Sequence, residues 1–290
     1  MKLVNPTGKL SKKYGDIRTL EILADAGFDG YDYTMCDMEY DEHFLNCENY
    51  MEHIAAVKKH ADDLGILCTQ AHALFPPQKD GIIFDRLVRS LEIAAYLGAE
   101  CIVIHPITEL CRHYQTVKDD LFRENMDFYR SIIPYAKQYG IKIAVENMWG
   151  WDVGRETFSS STCSHSDEFC KYIDTLDSEY ITACLDLGHC ALVSDDPANM
   201  IYKLGKRIRA LHVHDVDLAH DNHTLPYVGA VNWDSVCEAL AKINYIGNLT
   251  FEANGFLSEY MDDDFIPVAV KYMEQVGRSL IRKIEGYKRG

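Results

Sequence analysis

Six side chains suited to metal binding or proton transfer stand at the ends of short apolar runs: His72, His105, Glu146, Asp186, His212 and Glu252. Strand-like alternation brings the last four to a common side. In 141–147, Ile141, Ile143 and Val145 share one face, and Lys142, Ala144 and Glu146 share the other. In 180–189, Ile181, Ala183 and Leu185 oppose Thr182, Cys184 and Asp186. Leu211 and Val213 oppose Ala210 and His212, while Leu249 and Phe251 oppose Asn248, Thr250 and Glu252. With the apolar faces packed on helices, Glu146, Asp186, His212 and Glu252 point the same way. Three converging carboxylates repel one another unless they are protonated or neutralised by a cation. Oxygen donors with one imidazole nitrogen suit Mn2+ first, and also Mg2+, Co2+ or Zn2+. A divalent metal ion is therefore expected, and no organic cofactor.

The elements that must carry these residues alternate along the whole chain. Apolar runs near 2–6, 29–34, 66–72, 101–106, 141–147, 180–189, 208–215 and 248–254 are followed by amphipathic stretches. The helices are expected near 15–27, 48–64, 82–97, 119–139, 166–175, 197–205, 232–243 and 263–286, several closed by glycine. Such alternation implies parallel pairing through right-handed crossovers. Eight units of this length predict an α/β protein with a (β/α)8 TIM barrel, in which functional groups gather at the C-terminal ends of the strands. An open doubly wound sheet is the alternative, but no GxGxxG follows the first run, which removes its dinucleotide-binding form. No linker composition interrupts 1–290, so a single TIM-barrel domain is expected.

Composition narrows the function classes. The 290 residues carry 29 Lys+Arg against 45 Asp+Glu, a formal charge of −16 that disfavours a nucleic-acid partner. No apolar run approaches the roughly 20 residues of a membrane span. The start, MKLVNPTGKL, lacks the apolar core of a secretory signal. The ten cysteines form no CxxC pair, so they are expected to be reduced thiols in a cytoplasmic protein.

The segments VEN (145–147), LDLGH (185–189), LHVHD (211–215) and FEANG (251–255), together with GFDGYD (27–32) and DNHTLPYVGAVNWDSV (221–236), resemble the xylose isomerase-like barrels. These include sugar phosphate isomerases and epimerases and ketose 3-epimerases. The resemblance covers nearly the whole chain. It implies that Glu146, Asp186, His212 and Glu252 are metal ligands and that His189 contacts substrate. It also implies that Glu146 and Glu252 are paired catalytic bases beside a substrate carbonyl, working through an enediolate. A small carbohydrate is the implied partner, and a homo-oligomer the implied state. The pattern departs at Leu218, where ketose epimerases usually carry an arginine six residues after the metal histidine. That departure points to an altered substrate or to a lyase-type reaction, such as an inosose or dehydroshikimate dehydration.

A more distant resemblance is to endonuclease IV, an abasic-site nuclease with three zinc ions. Its ligand pattern falls on His72, His105, Glu146, Asp186, His189, His212, Asp221, His223 and Glu252, although its D-T-C-H and H-L-N-D read DLGH and HVHD here. His72, His105, His189, Asp221 and His223 are thus candidates for substrate binding or a second ion. Trp149 is a candidate wall for a sugar ring, with loop packing as the alternative.

Overall fold

Alternating short strands and amphipathic helices leave each strand with one face for helices and one for its fellow strands, and a closed barrel satisfies both. The computed structural model describes residues 1–109 and 113–289. Its strands are β1 (Leu3–Pro6), β2 (Gly30–Thr34), β3 (Leu67–His72), β4 (Cys101–Val103), β5 (Lys142–Glu146), β6 (Trp149–Asp152), β7 (Thr157–Ser160), β8 (Ile181–Asp186), β9 (Ile208–His212) and β10 (Leu249–Thr250). Eight of them form a parallel sheet in the order β10-β1-β2-β3-β4-β5-β8-β9. The sheet closes where Val213 bridges Phe251, with the Val213 amide donating to the Thr250 carbonyl at 2.9 Å and the Glu252 amide to the Val213 carbonyl at 3.2 Å. The architecture is the expected (β/α)8 barrel.

The helices are α1 (Gly8–Tyr14), α2 (Asp16–Ala26), α3 (Tyr50–Leu64), α4 (Gly81–Leu97), α5 (Lys118–Tyr139), α6 (Ser166–Leu176), α7 (Leu187–Leu192), α8 (Pro197–Leu204), α9 (Trp233–Lys242) and α10 (Ile266–Arg289). Gly27, Gly98 and Gly140 close α2, α4 and α5 with left-handed backbone, as the sequence suggested, and Gly65 closes α3 in the same way. Three elements were not anticipated: the short helices α1 and α7, and the antiparallel hairpin β6–β7 that follows β5. Several strands also stop earlier than their apolar runs; β10 ends at Thr250 and β4 at Val103. His105 and Glu252 therefore lie on loop backbone two residues beyond their strands.

Two apolar regions divide the barrel wall. Ile143, Val145, Ala183, Leu185, Leu211, Leu249 and Phe251 face outward into the large core beneath the helices. A separate cluster of Cys101, Val103, Ala144, Cys184 and Ala210 fills the barrel interior. Val103, Ala144, Cys184 and Ala210 each lie two residues before a polar residue named above: His105, Glu146, Asp186 and His212. Side chains this small suit the narrow lumen of an eight-stranded barrel. They form an uncharged floor under the polar layer.

Nine cysteines are free thiols among the described residues; Cys111 lies outside them. No helix of the described residues is long and apolar enough to cross a membrane.

The last helix seats against the first strand through Gly277. A Cβ there would lie 2.3 Å from Leu3 Cδ1 and 3.0 Å from the Phe251 ring. Glycine is unfavourable inside a helix by roughly 1 kcal/mol, and here it permits the close approach. Gly277→Ala is expected to lower stability by about 1–3 kcal/mol through overpacking. Leu3→Ala in the same chain should recover part of that loss, as read by urea denaturation of the single and double variants.

Candidate metal and proton-transfer centre

Glu146, Asp186 and His212 end β5, β8 and β9, and Glu252 follows β10, so four adjoining sectors of the barrel deliver them to one point. One ligand atom from each lies within 4.8 Å of the others. Glu146, Asp186 and His212 are fully buried. His212 Nδ1 lies 3.1 Å from Glu146 Oε1 and 2.9 Å from Glu252 Oε2. Even so, both Glu146 oxygens, Glu252 Oε2 and His212 Nδ1 lack any hydrogen-bond partner. Buried polar atoms are seldom left in that state. Lone pairs that converge without bonding one another fit a cation between them, and three carboxylates with one imidazole suit a divalent ion.

The electrostatics agree. Burial pushes Glu146 and Glu252 upward, but His212 outweighs it, with His105 beside Glu146 and His223 and His72 beside Glu252. Both carboxyls are held below the usual range. Burial pushes His212 down, but Cys184, Glu146 and Glu252 around it raise it well above an ordinary imidazole.

Residues deeper in the barrel fix the rings. Gln70 donates to Asp32 Oδ2 at 2.7 Å, and its amide nitrogen meets His212 Nε2 at 3.1 Å, on the ring edge away from the carboxylates. Asp32 also lies 3.1 Å from His72 Nδ1. His72 stacks on His212 with centroids 4.5 Å apart. Its Nε2 has no hydrogen-bond partner and lies 3.9 Å from both Glu146 and Glu252. His105 Nε2 is 3.2 Å from Glu146 Oε2, and burial pushes this imidazole down to about 4. His72, His105 and Glu146 form a second compact donor group that shares Glu146 with the first.

His189, His214, Asp221 and His223 form a third. His189 Nδ1 lies 2.9 Å from the Asn147 carbonyl and His223 Nδ1 lies 2.8 Å from the Glu252 carbonyl. Each ring therefore donates from Nδ1 and turns Nε2 toward Asp221, at 3.7 and 3.2 Å. A histidine whose far nitrogen is held by a carbonyl is typical of metal sites. Burial lowers His223, but Asp221 and Glu252 raise it to about 9. Trp149 donates its indole N–H to Asp221 Oδ2 at 2.8 Å, so this ring orients an acid of the site.

The structure brings together every candidate taken from the sequence. It also adds residues the sequence reading did not single out. His214 Nε2 contacts both Asp186 oxygens, at 2.9 and 3.0 Å, and its ring stacks on His223 at 4.0 Å. Asn147 clamps the backbone of Asp186, its amide donating to the Asp186 carbonyl at 2.9 Å and its oxygen accepting from the Asp186 N–H at 2.7 Å. Alternation held the signal for three of them: Asp32 lies on the inner face of β2, Gln70 two residues before His72, and His214 two after His212. Asp215 accepts from Trp233 Nε1 at 2.7 Å and from the Tyr227 and Val231 amides at 3.0 Å. It ties down the loop after β9.

The glycine of LDLGH now has a reason. A Cβ on Gly188 would lie 2.1 Å from the His214 ring. Gly188→Ala is expected to drive His214 off Asp186 and weaken metal binding about 10–100-fold, the usual cost of losing a ligand's orienting partner. Calorimetric titration with Mn2+ measures it, with a circular dichroism spectrum to confirm folding. Because His212, His189 and His223 are raised, they hold protons at neutral pH when no ion is bound, and a cation must displace them. Metal loading at pH 7 should release protons, read in weakly buffered indicator dye. Affinity should fall as pH falls below the raised values, by up to about tenfold per unit for each proton displaced.

Comparison with known proteins places the chain in a family. A model of the family described as xylose isomerase-like TIM barrel matches residues 20–264. Among curated proteins, the uncharacterized protein y4fM of Sinorhizobium fredii is 27% identical over 178 residues, 58% of this chain and 51% of that protein. The inosose isomerase of Bacillus subtilis is 23% identical over 176 residues, 59% of each chain. The chain thus spans little more than half the length of these relatives. Two solved structures share the fold: a D-tagatose 3-epimerase-like protein (TM-score 0.74, 19% identity, 99% of each chain) and the 3-keto-D-glucoside 4-epimerase YcjR of E. coli (TM-score 0.71, 16% identity, 95% of this chain and 99% of that one). With the family model covering most of its length, this chain belongs to the xylose isomerase-like TIM barrel family.

Proposed function

We propose that this chain is a divalent-metal-dependent isomerase or epimerase of a sugar or sugar phosphate. The observation that carries the reading is the convergence of Glu146, Asp186, His212 and Glu252 with their inward oxygen and nitrogen atoms unpartnered. A cation held by these four, Mn2+ first with Mg2+, Co2+ or Zn2+ also suited, supplies polarisation of a substrate carbonyl and charge stabilisation for an enediolate. The remaining chemistry belongs to the side chains. Around the barrel, β5 and β10 are separated by β8 and β9 on one side and by four strands on the other. Glu146 and Glu252 therefore reach the mouth from different directions. One carboxylate accepts the proton from the carbon beside the carbonyl. The other, resupplied with a proton from solvent, returns one to the opposite face, which inverts the centre. Return to a neighbouring carbon along one face gives isomerisation instead. His72, His105 and His189 border the same space and suit contacts to substrate hydroxyls. The tagatose 3-epimerase-like and 3-keto-glucoside epimerase folds, and the relative named inosose isomerase, support a carbohydrate substrate. A dehydration of a keto-polyol uses the same first proton abstraction and is told apart by loss of water.

Glu146→Gln and Glu252→Gln are each expected to lower deuterium incorporation from heavy water into substrate by about 10²–10⁴-fold, and EDTA should abolish it. Mass spectrometry of the recovered sugar measures both. Full exchange by Glu252→Gln would end the two-base scheme.

The three donor groups favour one second reading. Together they use all nine positions of the endonuclease IV ligand pattern, so more than one ion and a phosphodiester substrate is the alternative. The charge of −16 opposes a DNA groove. Cleavage of a duplex oligonucleotide with one abasic site tests it directly. Proteins of this reading hold three ions, and elemental analysis counts them.

A further inference from the structure

The cavity at the proton-transfer centre is small, and a larger groove adjoins it. About 300 Å³ is enclosed by residues including His72, Phe75, His105 and Glu252. Beside it lies a groove of about 800 Å³, lined by α1, the start of α2 and the 36–53 segment. Thr34, Cys36, Asp37 and Asn254 line both, so the two adjoin. Pockets of about 300–1,000 Å³ take drug-sized ligands. The inner cavity is at the small end of that range and suits one sugar ring. The outer groove is large enough for a second.

We propose that the substrate is a glycoside: its reacting ring sits between Glu146 and Glu252, and a second, uncharged glycosyl ring lies in the groove against Phe44. This rests on the sugar reading above and names the substrate class for it.

The chemistry of the groove selects that occupant. Phe44 is 45% exposed. It is nevertheless held in place, stacked on His43 at 4.6 Å and edge-on to His53 at 4.7 Å. The loop that carries it is braced by Arg89 donating to the Leu45 carbonyl at 2.9 Å and by Asn46 donating to the Met38 and Tyr40 carbonyls at 3.0 and 2.8 Å. A rigid, half-exposed aromatic face suits the C–H face of a sugar ring. Hydroxyl partners stand nearby. Asp16 is fixed by the Tyr33 hydroxyl at 2.8 Å and by His53 Nε2 at 2.8 Å. Asn49 precedes α3, yet its side chain makes no capping bond.

Phosphate is disfavoured in the groove. Its lining sets two lysines, Lys9 and Lys12, against three acids, Asp16, Asp37 and Glu52. Lys12 already pairs with Asp37 at 3.9 Å and Lys9 with Glu259 at 3.6 Å.

The test uses fructose and three glucosylfructoses, linked through O4, O5 and O6, with the Mn2+-loaded protein. Deuterium incorporation gives kcat/KM for each, and calorimetry gives binding without turnover. At least one disaccharide is expected to exceed fructose in kcat/KM by tenfold or more. Phe44→Ala should cut that ratio by about tenfold, mainly through KM, and weaken disaccharide binding by a similar factor. Phe44→Trp, which keeps an aromatic face, should restore the ratio. Equal efficiency on fructose and every disaccharide overturns the glycoside proposal and leaves the sugar reading standing. So does a ratio that Phe44→Ala does not change, or a dimer that dissociates on Phe44→Ala. If no substrate exchanges deuterium, the sugar reading fails, and the calorimetric comparison with Phe44→Ala still decides whether the groove binds a glycosyl group.

Discussion

Buried negative charge is the constraint on which the site depends. Glu146 and Asp186 have no access to water, and Glu252 has little. Isolated carboxylates in such surroundings would take up protons. Here imidazoles hold Glu146 and Glu252 below the usual carboxylate range: His212 lies between them, and His72 and His223 stand beside Glu252, while His214 contacts Asp186. The arrangement is open in hydrogen bonding, since the inward atoms of Glu146, Glu252 and His212 remain unpaired. Acids held ionised but left without hydrogen-bond donors keep their lone pairs available. The barrel makes this tolerable by placing the donors on separate strands, each anchored by its own ladder.

Below that layer the lumen changes character within two residues. Val103, Ala144, Cys184 and Ala210 are small and uncharged, and they separate the polar ring from the lower barrel. Above it, loops do the orienting. Asn147 clamps Asp186, Asp215 gathers the chain from 216 to 233, and backbone carbonyls hold His189 and His223. Rigid strands set direction, while loop contacts set rotation. The donors are thus ordered before any ligand arrives, as chemistry at a fixed point demands.

Much of this was legible in the sequence because one rule, alternation along a strand, acts at every position. It placed Glu146, Asp186, His212 and Glu252 on the inner face and Ile143, Leu185, Leu211 and Phe251 on the outer, and both assignments match the burial pattern. Where local signals are weak, the reading failed. The helix Gly8–Tyr14 is two turns long and opens on a glycine, so it carries no periodic stripe to recognise. The hairpin Trp149–Ser160 is rich in glycine, serine and exposed side chains, and its pairing is with itself rather than the core. Asp32 and Gln70 were passed over because each reads alone as a polar residue in a strand. Their partners, His72 and His212, are distant in sequence, and only closure of the barrel brings them together.

That hairpin has a mechanical consequence. Trp149 grips Asp221 from 72 positions away in the chain, and Asp221 in turn faces both His189 and His223. The arm and the acid it holds are thereby yoked. While that single indole bond persists, displacing the arm also pulls an anchor from two imidazoles, so the position of the arm and the order of those rings are mechanically linked.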